Sequence, residues 1–185
     1  MAMPLVRPVE LLGGKVHLRL PTDSDAADAL LMLLDPDIDR WYPAPAVVDI
    51  QSAQAWCRRG ADWSGGDHAT FAILDQDGGR LVGNISLVNI DLVDQRSASI
   101  AYRTAPWARG KGVASDAVEA VTKWAFDALT VERIRLEHSV SNAASCRVAE
   151  RCGFLLEGVM RLGHRDERGV RHDAHLHARV APSVK

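Results

Sequence analysis

The segment Tyr102 to Ser115, Y-R-T-A-P-W-A-R-G-K-G-V-A-S, constrains this chain more than any other. Strand-compatible residues 97–103 lead into a loop with glycines at 110 and 112. The loop leads into a long helix, expected over Gly112 to Leu129, with Val113, Ala117, Val121, Trp124 and Ala128 on its apolar stripe. The first turn of a helix leaves backbone N–H groups without partners, and the helix dipole adds positive charge there. Glycines allow an anion to approach those groups closely, and Arg109 and Lys111 add full charges. The segment reads as an anion cradle suited to a pyrophosphate.

Two familiar phosphate loops do not fit it. The nucleoside triphosphate loop G-x-x-x-x-G-K-[ST] fails because Lys111 is followed by Gly112 and no earlier glycine has the required spacing. The dinucleotide pattern G-x-G-x-x-G fails at its third glycine, where Ser115 stands, and the loop lies past mid-chain.

Around this segment the chain reads as one run of elements. Strands are expected at Val16–Leu20, Ala69–Leu74, Arg80–Val88, Ser97–Arg103, Arg133–Val140, Phe154–Met160 and His172–Val180. Thr22 with Asp25 signals a helix start, and that helix ends at about Leu34 before Asp35-Pro36. A second helix is expected over Ile50–Arg59, Trp41-Tyr42-Pro43 reads as an aromatic loop, and a short helix over Asn142–Arg151 has Gly153 as its C-cap. Consecutive hairpin-like strand pairs argue for a mixed sheet rather than a doubly wound one. No repeat or low-complexity linker interrupts the 185 residues, so one domain over 1–185 is expected, with short flexible ends at about 1–12 and 181–185.

Charge and cysteine usage exclude several classes. A formal net charge of −2 argues against a nucleic-acid surface. Cys57, Cys146 and Cys152 form neither a disulfide framework nor a C-x-x-C metal pair. No apolar run approaches the ~20 residues that span a bilayer, and the first ten residues lack a signal-peptide pattern, so a cytoplasmic protein is expected.

The six residues Arg109-Gly110-Lys111-Gly112-Val113-Ala114 match R-x-x-G-x-[GA], and the chain resembles the GCN5-related N-acetyltransferase (GNAT) superfamily. Ser99 to Val121 is similar to that family's central strand, loop and helix. Asn142-Ala143-Ala144-Ser145 followed by Gly153-Phe154, then Glu157-Gly158 and Arg171-His172-Asp173, resemble the RimJ/RimL-like ribosomal-protein N-terminal acetyltransferase branch. The resemblance is strong from about Ile85 to Val180. It implies an α+β fold, a mixed and mostly antiparallel seven-stranded sheet flanked by about four helices. Its two central strands, Ser97–Arg103 and Arg133–Val140, splay apart to admit the pantetheine arm of coenzyme A.

The implied activity is transfer of an acyl group, most simply acetyl from acetyl-CoA, to a primary amine by direct attack within a ternary complex. The amine is a protein N-terminus or a small molecule. Succinyl-CoA as donor, or a non-catalytic acyl-CoA sensor, are the alternatives. Tyr102, Arg103 and Thr104 would contribute backbone groups to the cofactor. Arg109, Gly110, Lys111, Gly112, Val113, Ala114 and Ser115 would hold the pyrophosphate, with Asn142 and Arg147 nearby. Ser145 is the candidate proton donor to the leaving thiolate. The Tyr that many members carry four residues before the helix-ending glycine is replaced here by Ala149, and no carboxylate stands near Arg96 and Ser97 to serve as base. His164 is the candidate base, with His138 as a second choice. Trp41, Tyr42, Trp63 and Trp107 are candidates for the acceptor pocket or a dimer contact, and a homodimer is common in the branch. His175 and His177 share one strand face, but the sequence offers no clear third ligand, so no metal is expected.

Overall fold

The strand His68–Asp75 is buried from Ala69 to Leu74, and the alternation of its side chains between two faces organises the molecule. Phe71 and Ile73 belong to one apolar cluster, while Ala72 and Leu74, pointing the other way, belong to a second. Such a strand is covered on both faces. The computed structural model, which describes residues 6–41, 47–76 and 79–184, places it as β3 of an eight-stranded sheet.

In chain order the strands are β1 (Leu11–Gly13), β2 (Val16–Arg19), β3 (His68–Asp75), β4 (Leu81–Asp91), β5 (Ser97–Thr104), β6 (Arg133–Ser139), β7 (Leu155–Arg165) and β8 (Arg171–Val180). The helices are α1 (Ala26–Leu33), α2 (Pro36–Trp41), α3 (Ile50–Ala61), α4 (Val113–Asp127) and α5 (Ala143–Arg151). The sheet runs β1-β2-β3-β4-β5-β6-β8-β7. Every neighbouring pair is antiparallel except β5 and β6. Val113, Ala117, Val118 and Val121 of α4 pack with Phe71 and Ile73, and residues of α1 and α3 pack with Ala72 and Leu74.

The parallel pair carries the feature that matters for function. Its register covers only Ser97 with Arg133, Ala98 with Ile134 and Ser99 with Arg135. Beyond that point β5 is held by β4, with Tyr102 opposite Ile85, and β6 is held by β8, with Ser139 opposite Ala174. The two strands therefore part company, and among the described residues no β5–β6 pairing continues beyond Ser99 and Arg135. A chain laid in that gap could pair with either edge.

Several details differ from the sequence reading. The eighth strand is β1, which pairs with β2 across Gly14-Lys15, Leu11 opposite Leu18. Residues 6–13 are thus not a loose end: Val6 is only 2 % exposed, and Val9 and Leu11 pack against the main core. At the other end Ala181 is buried, its N–H donating to Glu132 O. The additional helix is α2. Asp35-Pro36 ends α1 as expected but also starts a new helix, because proline suits a first helical position and the Asp35 carboxylate accepts from Ile38 N–H at 3.2 Å. On α4 the buried stripe continues to Ala125, and Ala128 is an exposed C-cap. Trp63 is a core residue: its indole N–H donates to Gly60 O, and its ring lies edge-on to Phe71 at 4.9 Å. Among the described residues no helix is long and apolar enough to cross a membrane.

Candidate active site

The N-terminus of α4 opens on a cleft of about 680 Å³. Gly112 caps the helix with φ of 85°, and Gly110 has φ of 75°, conformations that L side chains rarely adopt. A Cβ at either glycine would meet no atom within 4 Å, so backbone conformation, not crowding, calls for glycine here, and the space above the loop stays open. The first N–H groups of α4 face no partner inside the helix and supply the cradle's donors.

Tyr102, Arg103, Thr104, Arg109, Gly110, Gly112, Val113, Ala114, Ser115, Asn142 and Arg147 all line this cleft, gathered from β5, the loop and α5. Lys111 is exposed and does not line it. Arg109 is engaged in a way the sequence did not reveal. Its guanidinium pairs with Asp35 and, at 3.1 Å, with Asp37, at the start of α2. Two carboxylates thus compete with any anion for the cation of the loop.

A smaller cleft of about 220 Å³ continues into the gap between β5 and β6. Trp41, Tyr102, Asn142 and Ser145 border both clefts, and His138 and His164 border the smaller one. Asn142 is the N-cap of α5, its Oδ1 accepting from Ser145 N–H at 3.1 Å, so these two polar residues are fixed by one local bond. The Tyr102 hydroxyl is buried and closes no hydrogen bond of ordinary geometry among the described residues. Burial pushes it up to about 12, while Ser145 lies near enough to oppose that shift. Tyr102 is therefore a neutral O–H donor at any working pH. His164 is held below the usual imidazole value, by burial first and by His172 second, with Asp166 opposing. Its buried Nε2 has no partner among the described residues. A neutral imidazole with an unpartnered ring nitrogen, lining the same cleft as Ser145 and Tyr102, can accept a proton.

The aromatic candidates separate. Trp41 stands at the junction of the clefts. Tyr42 lies outside the described residues. Trp107 borders neither cleft: its indole N–H donates to Leu81 O at 3.0 Å, Arg80 stacks over its ring at 4.2 Å, and it packs against the core beneath α1 and α3. The apparent lack of further ligands around His175 and His177 also needs correction. The β6–β8 register sets His138 directly opposite His175, and α5 brings Cys146 to the same group. Neither neighbour is legible in sequence, because both depend on long-range pairing.

Residues 15–155 match the model of the acetyltransferase (GNAT) domain. A Bacillus subtilis (strain 168) protein named "Putative ribosomal N-acetyltransferase YdaF" is 39% identical over 164 residues, covering 85% of this chain and 86% of that protein. Among solved structures, Mycobacterium smegmatis RimJ in complex with CoA-disulfide superposes with a TM-score of 0.83 at 26% identity, covering 97% of this chain and 88% of that one. The ribosomal-protein-S5-alanine acetyltransferase of Vibrio fischeri gives 0.83 at 20% identity over 96% of this chain and 99% of its own, a likeness of fold. The chain belongs to the GNAT family of N-acetyltransferases.

Proposed function

We propose that this chain transfers acetyl from acetyl-CoA to a primary amine, a peptide α-amine or a small-molecule amine, by direct attack in a ternary complex. The observation that carries the reading is the continuity of the two clefts. The cleft at the start of α4 shares Trp41, Tyr102, Asn142 and Ser145 with a second cleft in the gap, which His164 also lines. The family's co-substrate has that shape: a pyrophosphate, a pantetheine arm that pairs with backbone, and a reactive thioester at the far end. The relative solved with CoA-disulfide adds support.

In this reading the residues divide the chemistry. The N–H groups of α4 and the loop Arg109–Ser115 hold the phosphates. The free edge of β5 at Tyr102–Thr104 holds the arm, and Asn142 and Arg147 border it. His164, neutral at pH 7, takes the proton of the incoming ammonium directly or through water. An α-amine, with a reference pKa of about 8, asks little of such a base, whereas a Lys ε-amine at about 10.4 asks far more. Ser145, whose backbone is set by the Asn142 cap bond and which neighbours Tyr102, gives a proton to the leaving sulfur. Trp41, at the junction, borders the acceptor's path.

The test is release of free thiol from acetyl-CoA in the presence of a panel of amines that includes N-terminal peptides, with thermal stabilisation by CoA, ATP and NAD measured alongside. Amine-dependent thiol release with stabilisation by CoA alone is the expected result. Stabilisation by ATP or NAD but not CoA would overturn the assignment of the cradle. CoA binding without turnover on acetyl-CoA or succinyl-CoA would overturn the catalytic part.

A further inference from the structure

The wall behind Ser145 carries a second constellation that acyl transfer does not require. His138 on β6, His175 and His177 on β8 and Cys146 on α5 each offer a ligand atom, and these four atoms lie within 4.8 Å of one another. The imidazoles crowd together, His138 and His177 stacked at 5.2 Å and His138 and His175 edge-on at 5.4 Å. His138 is 6 % exposed and His177 1 % exposed.

The hydrogen bonding around them is directional. His138 Nδ1 sits 2.8 Å from Ser139 O, and His177 Nδ1 sits 3.2 Å from Phe154 O. A carbonyl only accepts, so each of these nitrogens carries the proton, and each opposite Nε2 presents a lone pair. Both Nε2 atoms, and Nδ1 of His175, are buried with no hydrogen-bond partner among the described residues. Three buried ring nitrogens of one cluster are therefore without a partner among the described residues, and in His138 and His177 the proton sits on the other nitrogen. A buried ring nitrogen without a partner calls for a partner such as an ordered water or a bound ion, and three in one cluster of metal-ligating side chains favour the ion. Metal-bound histidines show the same second contact, a ring N–H given to a backbone carbonyl that fixes the tautomer.

We infer that His138, Cys146, His175 and His177 form a binding site for a thiophilic divalent ion of the zinc class. Three imidazoles and a thiolate suit a borderline-soft ion in tetrahedral geometry, and no carboxylate belongs to the cluster to favour calcium or magnesium. Zinc–ligand bonds of about 2.0 to 2.3 Å put tetrahedral ligand atoms roughly 3.3 to 3.7 Å apart, so the cluster needs to contract by about an ångström at its widest. Four protein ligands fill the coordination sphere, which marks a structural rather than a catalytic ion. The thiol of Cys146 loses its proton on binding. The ion would tie the first turn of α5, which also carries Ser145, to β6 and β8.

The test uses the untagged full chain, stripped with a chelator and titrated with Co²⁺. Saturation at one equivalent is expected, with visible bands of tetrahedral cobalt and a near-ultraviolet thiolate-to-cobalt band, all bleached by added Zn²⁺. Cys146→Ser should lose the thiolate band and weaken binding at least about tenfold. His175→Gln should weaken binding similarly while keeping the band at saturation, and it gives the same reading should Cys146→Ser fail to fold. His172→Gln, on the opposite face of β8 and bonded to Asp166, should change nothing. The site is refuted if the folded wild-type chain binds no cobalt, or if its cobalt spectrum and affinity survive both Cys146→Ser and His175→Gln. These spectra do not depend on turnover, so the inference stands or falls apart from the acyl-transfer reading.

Discussion

Tyr102→Phe should slow the enzyme without costing it stability, an outcome that most substitutions at a half-buried position do not give. The tyrosine hydroxyl is buried and makes no hydrogen bond of ordinary geometry among the described residues. Leaving a buried polar group unpaired costs about 1 to 3 kcal/mol, so removing this oxygen should leave stability unchanged or raise it. The ring itself stays, packed against the main core. The same hydroxyl borders both clefts and neighbours Ser145, and at a pKa of about 12 it remains a donor throughout.

If Tyr102 closes its hydrogen bond onto Ser145 only as the thiolate leaves, the bond lowers the barrier. A neutral hydrogen bond contributes about 0.5 to 1.5 kcal/mol net. That corresponds to a roughly two- to thirteenfold fall in kcat for the Phe variant. Thiol release at saturating acetyl-CoA measures the rate, and urea unfolding measures the stability. The reasoning is refuted if Tyr102→Phe loses more than about 1 kcal/mol of stability, since the hydroxyl was then partnered and structural. It is refuted equally if a stable variant keeps the wild-type kcat.

His164→Gln should lower kcat/KM by about a hundredfold or more and abolish its acid limb. That limb should lie below pH 6.5, because burial holds His164 beneath its ordinary value and only the neutral ring accepts a proton; a pH–rate profile of both proteins reads it. Asp25 is 6 % exposed and takes two 2.8 Å bonds from Arg19 and one of 2.7 Å from Thr22 N–H, so Asp25→Ala should cost about 3 to 5 kcal/mol in urea unfolding. Burial raises the Asp25 pKa, but Arg19 and Thr22 outweigh it and the net shift is downward. The stability it contributes is therefore complete above the unfolded value of about 3.9 and is lost as pH falls through the lower folded value, where variant and wild type should converge. Asp37→Asn removes an exposed carboxylate that holds Arg109, and should tighten CoA binding severalfold at low salt, as read by calorimetry; weaker binding would show that the pair positions the loop instead.

Legibility from sequence followed the range of the interactions. The cradle was readable because strand, glycines and helix start are consecutive, and the positive φ of Gly110 and Gly112 is a local requirement. Asn142 and Ser145 were readable for the same reason, since an N-cap bond spans three residues. The strand β1 was missed because three residues carry no periodicity; its existence depends on β2 and on a core reached from Val6. The helix α2 was missed because Asp35-Pro36 both stops one helix and starts the next. Trp107 was misplaced because an aromatic in a loop does not reveal which way its ring turns, and here Leu81 O and Arg80 decide it.

The histidines show where local reading stops. Alternation along β8 puts His175 and His177 on one face whatever the fold, and it says nothing of what lies opposite. The β6–β8 register supplies His138, and the packing of α5 supplies Cys146. Ser145 and Cys146 are adjacent on that helix, roughly 100° apart around its axis, so one faces β5 and Tyr102 while the other faces β6 and β8. The first turn of α5 therefore borders both sides of the splayed gap. A force that draws Cys146 toward the imidazoles also sets the height of Ser145 over the acyl cleft. With an ion bound, α5 would be tied through Cys146 to the strand pair that stays closed while the sheet opens between β5 and β6 beside Ser145.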